Sequence, residues 1–303
     1  MPLPERTRYL FEVFDLQDRL RILDVGANPL SPPPYQQLAE EDLCDVFGFE
    51  PQRDAYDKLM ETRRPNEQYY PHAVGDGNAH DLHISPNSGF TSLLPFYERG
   101  FLEFSIFPGA VNGLSKVNVA TVRLDSLADL PQIDMLKIDI QGGEKLVIEN
   151  GRQKLANAVV VIPEIRFSQL YEGEPMFAGV DAELRSQGFI LHRFLFAKKA
   201  LIGRRFRSQI AVRDNASHLV DGDAVYIRDL MRHELMSDDQ IKKLALLADT
   251  VFKSFDLVLH CIDHLIRRGL LSEEHGHEYI RRLPGRFRKG GELDDDQVVV
   301  GSI

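Results

Sequence analysis

The chain has 303 residues, 43% hydrophobic and 27% charged, enough to bury a full core, so one large domain plus an appendage is the natural size class. A formal net charge of −10 and a pI near 5.5 argue against a nucleic-acid binder, which needs a broad basic face, and no apolar run approaches the roughly 18 residues of a membrane span. The two cysteines, Cys44 and Cys261, offer neither a disulfide framework nor a zinc-ligand spacing, and MPLPERTRYL has no apolar leader core, so a reducing, cytoplasmic setting is expected.

Short apolar runs then alternate with amphipathic stretches, the pattern of an α/β fold. Strands are predicted over 21–25 (RILDV), 45–49 (DVFGF), 69–74, 134–140 (DMLKIDI), 158–162, 189–196 and 224–228. Most are apolar almost throughout rather than alternating, as parallel strands covered on both faces must be. Helical patterns fall over 35–41, 54–62, 143–155 and 180–187. The stretch 80–122, punctuated by Gly, Pro, Asn and Ser and carrying several Phe, fits no βα repeat and reads as an insertion over the sheet edge or the site. Beyond about Leu230 only helix is predicted, over 237–269 and 272–283, with a capping box at Ser237 and Gln240. The expected division is a main domain over 1–230, a helical appendage over 231–285 and a flexible tail over 286–303. In the first long helix, Ile241, Leu244, Ala248, Val251, Phe255, Val258, Ile262 and Leu265 recur every three or four residues. Such a seam packs on its own domain or on a second subunit, which leaves a homodimer open.

LDVGANPLSPPP, over 23–34, ends a strand at a glycine turn of the kind that faces a nucleotide cofactor. A dinucleotide pyrophosphate needs G-x-G-x-x-G, and only Gly26 is supplied, which counts against a nicotinamide oxidoreductase. S-adenosylmethionine carries no phosphate, and its zwitterionic end suits a longer turn with polar side chains such as Asp24 and Asn28. At the end of the second strand, FGFEP places Glu50 to accept hydrogen bonds from ribose hydroxyls, with capping of the next helix as the plainer role. HAVGDG offers Asp76 to an adenine amino group, or as an ordinary turn aspartate.

MLKIDIQGGEKLVIENG puts Lys137 and Asp139 two apart on one face of a strand that is expected to be buried, where charges must be paired or functional. Asp139 lies near the carboxyl end of that strand, where open α/β sheets place their sites, and Glu144 falls in the first turn of the next helix. A structural ion pair and a helix-terminal charge are the bland alternatives. His72 and His83 flank this region, and a lone histidine is more often structural. No His, Asp or Glu set, HGHEYI included, has convincing metal spacing. The basic runs 198–207 and 281–289 suit a phosphorylated or carboxylated acceptor, or simply solvent.

Taken together, LDVGAN, FGFEP, AVGD, TSLL, VRLDSL, LKIDIQGGEKLVIENG and IPEIRF resemble the FkbM-type methyltransferases, a branch of the class I S-adenosylmethionine-dependent enzymes. The resemblance spans about 22–228. It implies a Rossmann-like, seven-stranded doubly wound sheet and methyl transfer chiefly to a hydroxyl oxygen of a sugar or polyketide-like acceptor. It also implies that Asp24, Gly26 and Asn28 form the cofactor loop, that Glu50 and Asp76 contact ribose and adenine, and that Ser92 lies near the cofactor. Asp139 and Glu144 match an acidic motif after the fourth strand, and Glu164 the acid after the fifth. Asp139 is the first candidate for a general base and Glu164 the second. Two positions depart from the family pattern: Pro29-Leu30 stands where a further glycine is usual, and Gln141 where glutamate is common. Both leave room for a binding module without catalysis.

Overall fold

The computed structural model describes residues 3–104, 112–202 and 204–290. A helix absent from the sequence reading, α1 (Glu5–Phe14), opens the chain and buries Leu10 and Phe14. β1 (Leu20–Val25), α2 (Gln36–Glu40), β2 (Cys44–Phe49), α3 (Arg53–Thr62) and β3 (Glu67–Tyr70) follow in βα alternation. β4 (Ala73–Val74), β5 (Ala79–Ile84), α4 (Glu98–Phe104) and β6 (Ser115–Val122) interrupt it. The alternation resumes with β7 (Met135–Ile138), α5 (Glu144–Glu149), β8 (Val160–Arg166), α6 (Phe177–Ser186) and β9 (Phe189–Ala200). After the short α7 (Val212–Asn215), β10 (His218–Arg228) leads to α8 (Asp238–Thr250), α9 (Phe255–Arg267) and α10 (Glu273–Arg281).

Seven strands form one sheet in the order β3-β2-β1-β7-β8-β10-β9. The first five run parallel, and β10 inserts antiparallel between β8 and β9. Strand order reverses between β1 and β7, the switch point beyond whose carboxyl ends ligands bind in open α/β sheets. This is the seven-stranded doubly wound sheet that the sequence resemblance implies. Successive strand residues serve opposite faces: Leu20 and Ile22 join one apolar cluster, Leu23 and Val25 the other. The second cluster is closed by Val147 and Ile148 of α5 and Val180 and Leu184 of α6.

The first cluster is closed by α1, α8 and α9. The helices beyond 231 therefore share a core with the sheet and form its second covering layer. The long helix expected over 237–269 is two, because the chain reverses at 251–254, where Lys253 takes a left-handed φ of 51° and its Nζ caps the Thr250 carbonyl at 2.6 Å. Of the apolar seam, Ile241, Leu244, Ala248, Val251, Val258, Ile262 and Leu265 are buried in this cluster, and Phe255 lies at its rim. The seam is thus occupied within the chain. The Ser237–Gln240 capping box forms as read.

Other boundaries move for local reasons. The run 69–74 splits at Pro71, which has no N–H for a ladder, and its second half pairs with β6 in a separate three-stranded sheet, β4-β6-β5. The helix expected over 143–155 stops at Glu149, before Asn150-Gly151. The insertion packs Phe90, Phe96 and Phe101 against Leu170 and Tyr171 and so carries residues 87–93 to the mouth of the sheet. Of the tail expected over 286–303, residues from 291 onward lie outside the described ones. No described helix is long and apolar enough to cross a membrane.

Candidate functional site

A cavity of about 810 Å³ lies beyond the carboxyl ends of β1, β2, β7 and β8, within the roughly 300–1,000 Å³ usual for small-molecule sites. One half is built by the β1 exit. Gly26 has φ +84°, and a Cβ there would stand 2.0 Å from the Asp139 carbonyl oxygen, so only glycine lets the β1 and β7 exits pass so closely. The Gly26 and Ala27 N–H groups both donate to the Phe49 carbonyl, which ties the loop to β2. The loop's polar contribution to the cavity therefore comes from Asp24 and Asn28, both in its wall, while Pro29, Leu30 and Pro32 to Pro34 supply an apolar lip.

Asp24 is buried; its Oδ2 accepts from the Tyr35 hydroxyl at 2.5 Å, and its Oδ1 has no hydrogen-bond partner among the described residues. A buried, unpaired acceptor in a cavity wall is costly unless a ligand donates to it, and a cationic ammonium is such a donor. Glu50, also buried in the wall, accepts the Gln52 backbone N–H at 2.8 Å. Burial pushes its carboxyl up to about 7, against the lowering effect of the Gln52 hydrogen bonds. These residues fit a cofactor with a cationic end and a ribose.

The other half is built by β7, β8 and β10. Asp139 and Glu164 share a hydrogen bond, and Gln141 Nε2 donates to both, at 2.7 Å each. Gln141, at φ 60°, is held by its own oxygen, which accepts from Arg166 at 2.7 Å and from the Tyr171 hydroxyl at 2.9 Å. Arg166 is buried among Glu164 at 2.7 Å, Asp221 at 3.4 Å and Glu174 at 3.5 Å. Burial alone would raise Asp139, but the Lys137 ammonium 3.7 Å away, the Glu164 and Gln141 hydrogen bonds and Arg166 outweigh it and hold the carboxyl below its usual range. Glu164 goes the other way: burial, with the Asp139 and Asp221 charges, overrides Arg166 and holds it well above its usual range. The surroundings thus push the pair apart, Asp139 toward its anion and Glu164 toward its acid.

Three sequence candidates are engaged by other partners. Asp76 is not in the cavity wall; its carboxylate is occupied by the Asn78 backbone and side chain and by His80, at 2.8–2.9 Å, because the turn after β4 folds back on itself. Glu144 is buried and accepts the N–H groups of Ile140 at 3.0 Å and Gly142 at 3.0 Å, so it clamps the turn that presents Gln141. Asp139, Glu144 and Glu164 oxygens lie within 4.8 Å of one another, yet those of Glu144 are already engaged by backbone. Ser92 reaches the wall, but its hydroxyl donates to the Gln141 carbonyl at 2.7 Å and accepts from Leu94, which makes it a brace. Sequence reading passed over Arg166, Tyr171, Asp221 and Asp223. IPEIRF carried a signal for the first, since Glu164 and Arg166 are two apart on a buried strand, like Lys137 and Asp139.

Residues 24–191 match the family model described as the methyltransferase FkbM domain. The 2-O-methyltransferase NoeI of Sinorhizobium fredii (strain NBRC 101917 / NGR234) is 29% identical over 176 residues, covering 53% of this chain and 69% of that protein. Among solved structures, a putative methyltransferase from Thermoplasma acidophilum matches with a TM-score of 0.36 at 11% identity, covering 71% of this chain and 70% of that one. Magnesium protoporphyrin IX methyltransferase (ChlM) from Synechocystis PCC 6803, with bound SAM, matches with a TM-score of 0.34 at 8% identity, covering 74% and 79%.

Proposed function

This chain belongs to the FkbM methyltransferase family and uses S-adenosylmethionine, and we propose that it transfers the methyl group to a hydroxyl oxygen of a carbohydrate or related polyhydroxylated acceptor. The observation that carries this reading is the Asp139–Glu164 carboxyl pair, bridged by Gln141 and with Asp139 favouring its anion and Glu164 its acid, in the wall of the same cavity as the cofactor loop. A hydroxyl is a poor nucleophile at neutral pH, and a positioned carboxylate that takes its proton answers that need. The 2-O-methyltransferase among the relatives supports oxygen as the acceptor atom.

The bound cofactor supplies a methyl group on a positively charged sulfur, a leaving group that needs no proton. The chain supplies the rest. Asp24 and Asn28 take the methionine end and Glu50 the ribose. Asp139 accepts the proton of the acceptor hydroxyl as that oxygen forms its bond to the methyl carbon. Glu164 keeps its own proton and, through its hydrogen bond to Asp139, fixes that carboxylate's direction. Gln141, locked by Arg166 and Tyr171, holds both carboxyls at one spacing. Formation of S-adenosylhomocysteine with a panel of glycosides and polyols, and none with amines or activated carbon acids, is the expected outcome; methylation of nitrogen or carbon alone would overturn the reading.

Cofactor affinity is expected to depend on Glu50 and on pH together. Only the ionised carboxylate accepts from both ribose hydroxyls, and its folded-state value sits at about 7. Affinity should therefore be full above that pH and fall below it, approaching about tenfold per unit. Glu50→Gln should bind more weakly by about 1–3 kcal/mol at pH 8 and lose the pH dependence. Calorimetric titration from pH 5.5 to 8.5 decides; a wild-type affinity that is flat across this range removes Glu50 from the ribose site.

A further inference from the structure

Four residues stand in one row across the carboxyl side of the large sheet. β7 pairs Ile138 with Pro163 of β8, so Asp139 comes next to Glu164; β10 then pairs Asp223 with Glu164, and β9 pairs Phe196 with Asp223. Residues paired directly across strands project from one face, and all four line the cavity. At the usual interstrand spacing, Asp223 lies about 5 Å and Phe196 about 10 Å from Glu164.

The first two members are the proposed base and its partner. The last two have work undone. The Asp223 carboxylate feels Asp139, Lys137, Asp221 and Arg166 only through space, with no hydrogen bond to a described residue. Phe196 is 49% exposed and stacks on no other described aromatic ring, whereas its neighbour Phe194 packs on Phe167 and Phe177. Lys198, also in the wall, is drawn to Asp221 at 3.4 Å, as is Arg166. Lys137, Arg166 and Lys198 are thus each engaged by a carboxylate, which leaves none of these cations over for an anionic acceptor. An exposed aromatic face beside an unsatisfied acceptor suits a ring with one apolar face and a hydroxylated edge.

We infer that Phe196 and Asp223 form the acceptor subsite, taking a neutral polyhydroxylated ring with its apolar face on Phe196 and one hydroxyl on Asp223, so that a neighbouring hydroxyl meets Asp139. The inference rests on the carbohydrate reading above and adds the residues that select the acceptor. Phe196 is exposed, so its truncation leaves the core intact.

The test uses the full chain, S-adenosylmethionine and the methyl glycosides of fucose, rhamnose and glucose, with S-adenosylhomocysteine formation as readout. Phe196→Ala should raise the KM of the glycoside that is turned over by about tenfold or more, with cofactor affinity unchanged, and Phe196→Tyr should restore it. Asp223→Asn should raise the same KM and erase the discrimination against one deoxy analogue of that glycoside. If a glycoside is methylated and neither variant moves its KM, the inference fails while the carbohydrate reading stands. If the wild type neither methylates a glycoside nor, by saturation-transfer NMR with S-adenosylhomocysteine present, binds one, both fall together and the cofactor assignment remains.

Discussion

Asp139→Asn should lower turnover at saturating cofactor by about 10²-fold or more while leaving S-adenosylmethionine affinity within a few-fold of wild type. Asparagine keeps the size of the side chain and can still present an oxygen to the Gln141 amide, so the Gln141–Arg166–Tyr171 lock survives; only the proton acceptor is lost. Glu164→Gln provides the contrast. Because burial favours the protonated form of Glu164, its service to Asp139 is that of a donor, and a glutamine amide continues it. The loss there should be several-fold rather than a hundredfold. If the order is reversed, Glu164 is the base and Asp139 its support.

The pH profiles separate the two halves of the cavity. Asp139 is held below its ordinary range, so its anionic form persists into acid, and turnover at saturating cofactor should stay level through pH 7 and decline only well below it. Glu50 titrates at about 7, so kcat/KM for the cofactor should already be falling there. A common midpoint for both parameters would mean that one group limits both steps and would overturn this division of roles.

The parallel sheet is legible because strands covered on both faces must be apolar throughout, and Asp24, Glu50, Asp139 and Glu164 are legible because each ends such a run at its carboxyl edge. All four line the cavity. What is not legible depends on which partner each side chain meets once the chain has folded. Asp76 and Glu144 have the right residue type at the right strand exit, yet backbone and His80 reach them first. Asp223 and Phe196 join the site only because β10 inserts antiparallel between β8 and β9, a register no local pattern encodes. The reversal at 251–254 carries neither glycine nor proline, so the helical seam runs through it without a mark.

Asp249→Ala should destabilise the chain by about 3–5 kcal/mol, a large share of the roughly 5–15 kcal/mol that holds a domain folded. Asp249 sits on α8, fully buried. Its Oδ1 accepts from Arg6 Nε at 2.8 Å and from the Tyr279 hydroxyl at 2.6 Å, and its Oδ2 from the Thr7 hydroxyl. One carboxylate thus ties α1 and α10 to the layer that covers the sheet. Alanine would leave the Arg6 guanidinium buried beneath the Phe255 ring, 4.8 Å from its centroid, with its charge unpaired, and would orphan two hydroxyls. Asp249→Asn should cost less, since an amide oxygen still accepts from Arg6, though without the charge. The double change Arg6→Met with Asp249→Leu should recover much of the loss, because apolar side chains replace a buried pair with no stranded charge. Urea unfolding followed by circular dichroism reads all three variants. An Asp249→Ala midpoint within about 1 kcal/mol of wild type would mean that α1 and α10 are held by apolar packing alone, since unpairing a buried Arg6 cannot be that cheap while it stays in place.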